Sequence, residues 1–141
     1  MHLLDTDILA LLQRGNARVV EALEALADSE LAITPITKIE LLRGRHDFVL
    51  KAATGEQLLR AEKWLKETEL FLLKTPVIYP DTAAATQFDR LRLMKGLRKI
   101  GRADLLIAST VLANDATLVT RNVRHFKQIP DLKIVNWAQP G

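Results

Sequence analysis

The chain has 141 residues, 48% of them apolar and 26% charged, with a formal net charge of +3. That profile fits one soluble globular domain over residues 1–141 and leaves no room for a second core. There is no cysteine, which excludes disulfides, thiolate metal sites and thiol nucleophiles and agrees with the cytoplasmic location we expect. The N-terminal apolar run is too short for a bilayer and two acids interrupt it, so neither a signal peptide nor a membrane partner is expected.

In chain order, Met1 to Leu4 predicts a short buried strand and Thr6 to Gln13 a helix ended by Gly15. Asn16 offers a helix cap, after which Val19, Val20, Leu23, Leu26 and Ala27 form one apolar stripe at helical spacing. Leu31 to Thr34 reads as a second strand stopped by Pro35, and Thr37 to Gly44 as a helix with Gly44 as its stop. A longer helix runs from Gly55 to Leu73 and Pro76 breaks it. Val77 to Tyr79 reads as a third strand. Asp81 starts a helix that continues through a basic block (Arg90, Arg92, Lys95, Arg98, Lys99, Arg102) to near Gly101. Asp104 starts another helix through Ala116, followed by strands at Leu118 to Thr120 and Ile134 to Val135. Strands separated by helices predict an α/β fold. Its form is a three-layer α/β/α sandwich on a mainly parallel sheet of about five strands.

Ligands of such folds collect beyond the carboxyl ends of the strands. Asp5 follows the first strand there, and Thr120 and Asn122 follow the fourth. With Glu40 and Asp104 they make the candidate site, and Asp7 lies beside it. Simpler structural readings exist for most of these residues. Thr37 to Glu40 fits a Thr-x-x-Glu capping box, Asp104 suits a helix start, Asp7 suits a cap, and Asn122 suits a turn. Together, however, three carboxylates at one ligand face repel one another, and a divalent cation removes that penalty. Oxygen ligands without His or Cys suit Mg²⁺ or Mn²⁺. Such centres serve phosphoryl chemistry, and the basic block just before Asp104 would hold a polyanion. Arg98, Lys99 and Arg102 are the candidate contacts to that polyanion. The residues thus read as a metal-dependent nuclease. His2, His46 and His125 share no metal-ligand spacing and read as surface or packing residues. Trp64 and Phe71, on adjoining turns, read as packing against a helix, a subunit or a partner peptide.

Four stretches carry a resemblance. LLDTDILALL, TPITKIELLRG, KIGRADLLIASTVLANDATLVTRNVRHF and LKIVNW, in this order over nearly the whole chain, resemble PIN-domain ribonucleases of the VapC type. The resemblance implies a PIN-like α/β/α fold and an endoribonuclease toxin of a type II toxin–antitoxin pair. It also implies RNA cleavage with Mg²⁺ or Mn²⁺ held by acids, a cognate VapB antitoxin and a homodimer. By position, Asp5, Glu40 and Asp104 match the first three family acids and would hold the metal. Asn122 stands where many relatives have Asp, and Thr120 matches the polar residue commonly preceding it. Asp7 falls where relatives often carry Asn or Ser. A neutral Asn122 leaves three certain carboxylates, which favours one tightly held ion and leaves the metal count open. Two other readings stay in view. One is a phosphorylation-dependent receiver module with Asp81 as acceptor, which lacks the expected lysine after the last strand. The other is a PIN-like RNA-binding protein without catalysis.

Overall fold

In the computed structural model, which describes residues 1–26 and 30–139, strands and helices alternate. The elements are β1 (His2–Leu4), α1 (Thr6–Gln13), α2 (Ala17–Glu24), β2 (Leu31–Ala32), α3 (Pro35–Leu50), α4 (Gly55–Leu73), α5 (Thr82–Arg92), a 3₁₀ turn (Lys95–Leu97), α6 (Arg102–Ala113), β3 (Thr117–Val119), α7 (Val123–Phe126) and β4 (Lys133–Val135). The four strands pair in the order β2-β1-β3-β4, all parallel. Among the described residues no helix is long and apolar enough to cross a membrane. Ala27, placed on the α2 stripe from its spacing, lies outside the described residues.

Successive strand residues point to opposite faces, and here both faces are buried. Leu3, Ala32 and Leu118 pack with Leu91, Ile107, Ala108 and Val111 of α5 and α6. Leu4, Ile33 and Val119 pack on the other side with Ile8, Leu9, Leu41 and Leu72 of α1, α3 and α4. Two cores on the two faces of one parallel sheet give the three layers, as the alternation of apolar runs and helices predicts.

Four expectations are corrected. The third strand shrinks to one bridge, Ile33 to Val77, because Pro76 has no N–H to donate and Pro80 follows closely. Gly44 does not stop α3. The helix continues to Leu50 because Arg45 and the residues beyond it pack against α4, outweighing the roughly 1 kcal/mol a mid-helix glycine costs. The helix begun at Asp81 ends at Arg92, since buried Leu97 and Ile100 anchor the basic block to the core and bend it away from a straight helix. The capping box is also displaced. Thr34 caps α3 by accepting from the Thr37 N–H at 3.3 Å, Pro35 occupies the first turn, and Thr37 itself is buried and donates to the Leu4 carbonyl.

That last point is testable. Thr34→Ala should lower the unfolding free energy by about 1 kcal/mol in a denaturant titration. An unchanged midpoint would return the cap to Thr37.

Candidate active site

The register of β1 and β3 builds the centre of the site. Leu4 pairs with Val119, so the next residue of each strand, Asp5 and Thr120, emerges at the carboxyl edge side by side. The Asp5 N–H donates to the Val119 carbonyl at 3.0 Å. Thr120, fully buried, donates its hydroxyl to Asp5 Oδ2 and accepts the Asn122 N–H at 3.0 Å. The other Asp5 oxygen accepts the Ile8 N–H at 3.1 Å and so caps α1. The helix cap is therefore Asp5. Asp7, expected in that role, is exposed in the first turn, where the helix dipole still favours a carboxylate.

Asp5 holds two positions whose demands conflict. Burial raises its carboxyl from 3.8 to about 6; the Thr120 and Ile8 hydrogen bonds oppose the rise, and the negative charges of Asp7 and Asp104 add to it. Each of its oxygens still has an unused lone pair. Glu40 reaches the same neighbourhood from α3 and accepts from the Thr6 hydroxyl at 2.8 Å. Asp104, three residues into α6, is hydrogen-bonded through Oδ2 to His125 Nε2 at 2.9 Å. Asn122 is exposed at the start of α7 and its side chain caps nothing. Arg98, Lys99 and Arg102 are exposed on the approach to Asp104.

The structure thus brings Asp5 and Thr120 into contact, sets Asp104 within electrostatic reach of Asp5, and ties Glu40 to the residue next to Asp5. Among the described residues no three His, Asp or Glu side chains close into a metal cage. The donor set still fits a hard cation. Its carboxylates offer oxygen ligands around the desolvated Asp5, and Mg²⁺ usually keeps several waters while using one or two carboxylates. His125 is the residue that sequence reasoning misplaced: it is half-buried against Asp104 rather than a bystander. Its position three residues after Asn122, on the same rim, is the signal that would have found it.

The raised Asp5 carboxyl has a consequence for stability. The native state binds this proton more tightly than the unfolded chain does, so the associated stability is fully present below the ordinary value of 3.8. It is lost as pH rises through about 6. In chelator, Asp5→Asn keeps an oxygen for the Ile8 N–H but carries no charge. It should flatten the stability–pH curve over that window and unfold at a higher temperature than wild type at neutral pH. Parallel curves for the two proteins would contradict the assignment.

Comparison with known proteins identifies the family of the chain. The family model described as PIN domain matches residues 2–132. The chain is similar to Ribonuclease VapC2 of Rickettsia felis, 34% identical over 97% of this chain and 98% of the relative. It is also similar to Ribonuclease VapC1 of Haemophilus influenzae, 29% identical over 99% of both. Among solved structures, VapBC-1 from nontypeable Haemophilus influenzae superposes with a TM-score of 0.75 at 30% identity, covering 98% of both chains. A PIN-domain match over most of the length, together with a relative this similar end to end, shows that the chain belongs to the VapC family of PIN-domain proteins.

Proposed function

We propose that the protein is a metal-dependent endoribonuclease, the toxin of a toxin–antitoxin pair, acting at the Asp5 centre with Mg²⁺ or Mn²⁺. One observation carries the reading: a desolvated carboxylate, pushed up to about 6, sits at the carboxyl edge of a parallel sheet with other acids around it. Asp5, Asp104 and Glu40 would hold the cation. When bound, it supplies charge compensation at the attacked phosphodiester and a more acidic water.

The chain's own residues prepare that chemistry. Thr120, locked between the Asp5 carboxylate and the Asn122 N–H, fixes the direction in which Asp5 presents its remaining lone pairs. Thr6 does the same for Glu40, and His125 for Asp104. Asn122 presents a neutral amide at the mouth of the site. Arg98, Lys99 and Arg102 offset the repulsion between the acids and the RNA backbone.

Relatives named as ribonucleases and as a tRNA(fMet)-specific endonuclease support RNA as the substrate. Structural neighbours solved as VapBC complexes support a VapB-like antitoxin as partner. Leu59, Leu70 and Leu73 are exposed on one face of α4, apolar area that supports a homodimer contact. Asp81, imagined as a phospho-acceptor in a receiver module, caps α5 through the Ala84 N–H instead.

Two measurements test this reading. Glu40→Gln retains an acceptor for Thr6 and removes the charge. It should cut Mg²⁺-dependent cleavage of total cellular RNA by about a hundredfold or more while leaving the melting temperature unchanged. Full activity in the variant would return Glu40 to a structural role, activity unaffected by EDTA would contradict the metal dependence, and RNA binding without any cleavage would leave a PIN-like RNA-binding protein. Reversing Arg98 and Lys99 to Glu should weaken RNA binding and flatten its salt dependence; unchanged affinity would remove that surface from the account.

A further inference from the structure

The connection from β3 to β4 carries basic residues that the site described above leaves unused. No acid lies between Asp115 and Asp131, and the segment holds Arg121, Arg124 and Lys127. Because β3 and β4 pair in parallel, the connection has to start at the carboxyl edge, where Asp5 lies, and return to the amino edge. Arg121 and Arg124 come at its start, on the rim of the site.

Three contacts fix how these residues are turned. Thr120 donates to Asp5 and accepts the Asn122 N–H at 3.0 Å, which holds the backbone on both sides of Arg121 against the Asp5 carboxylate. His125 meets Asp104 Oδ2 at 2.9 Å, and Phe126 is buried in the core. With His125 and Phe126 directed inward, Arg121 and Arg124 are both exposed. Among the described residues neither guanidinium makes a hydrogen bond or an ion pair. Arg60, Arg90 and Arg92, by contrast, meet Glu56, Gln87 and Asp89 of their own helices.

Placement identifies what these guanidiniums bind. The His125–Asp104 contact joins the start of α7 to the start of α6, so Arg121 and Arg124 continue the cationic surface begun by Arg98, Lys99 and Arg102. That surface now reaches the end of β3, one residue from the hydroxyl that holds Asp5. The acids of the centre repel a polyanion, and a guanidinium fixed beside them offers paired donors to a phosphate. Phe126 is buried, so this segment exposes no phenyl or indole ring on which a base could stack. Contacts to the phosphate backbone position a strand without reading its sequence.

We infer that Arg121 and Arg124 bind the RNA backbone beside the phosphodiester attacked at Asp5, with Arg121 the nearer of the two. The inference rests on the RNA-nuclease reading for its ligand. Continuity with the phosphodiester site favours RNA over an acidic peptide, whose carboxylates would meet Asp5 and Asp104 with no bond to be cut.

The test is binding rather than cleavage, in EDTA, with fluorescein-labelled poly-U and poly-A of equal length at several salt concentrations. Both side chains are exposed and unpaired, so Arg121→Gln and Arg124→Gln should keep the wild-type melting temperature. Each should bind about three- to tenfold more weakly and lower the salt slope by about 0.7, equally on the two homopolymers. Arg18→Gln, an exposed arginine of α2, is the matched control and should change affinity less than twofold. Binding by both variants no weaker than that of the control, or no measurable RNA binding by the wild type, would overturn the proposal. A loss confined to one homopolymer would also overturn it, since the contact would then be to a base. Tighter Arg121-dependent binding of poly-L-glutamate than of RNA would assign the surface to an acidic peptide and overturn it as well. A protein that binds RNA through these arginines yet cuts none supports the surface and removes the nuclease reading alone.

Discussion

The carboxylate of Asp5 is the constraint on which the site depends. It ends β1, caps α1 and receives the Thr120 hydroxyl, so backbone geometry fixes it before any ligand arrives. The same placement desolvates it and sets it among other acids, which raises its carboxyl to about 6. A fold that relieved this strain locally would bury a cation or an arginine beside Asp5. Here a cluster of cationic side chains, Arg98, Lys99 and Arg102, lies instead on the exposed approach to Asp104. In the account proposed above, the local charge deficit is met by a divalent ion and the outlying cations by a polyanion.

The sheet makes that arrangement possible. Because Leu3 and Leu4, like Leu118 and Val119, feed opposite cores, β1 and β3 are pinned from both faces. A slip of one residue would turn each strand inside out. Register in turn places Asp5 against Thr120, and α3, entering from β2 under the Thr34 cap, brings Glu40 alongside Thr6. Positioning of the polar rim is thus inherited from apolar packing beneath it.

Much of this was legible in the residues. Short apolar runs bounded by helical patterns marked the central strands, and acids following them marked the rim, because both signals are local. Legibility failed where tertiary contacts overrode a local rule. Gly44 looks like a stop until Arg45 is seen against Trp64. Thr37 to Glu40 looks like a capping box until Thr34 takes the cap and Thr6 takes Glu40. The basic block looks like one helix until Leu97 and Ile100 turn it into the core. His125 and Arg45 were illegible for a related reason: their partners, Asp104 and Trp64, are 21 and 19 residues away, and no periodicity connects them.

The central claim is that the Asp5 carboxylate is an anchor for a hard divalent ion as well as a helix cap. Calorimetric titration of the metal-free protein with Mn²⁺ addresses it most directly. The account predicts saturable binding by the wild type, lost in Asp5→Asn although that variant stays folded. Undiminished Mn²⁺ binding by Asp5→Asn, or none by the wild type, would contradict it.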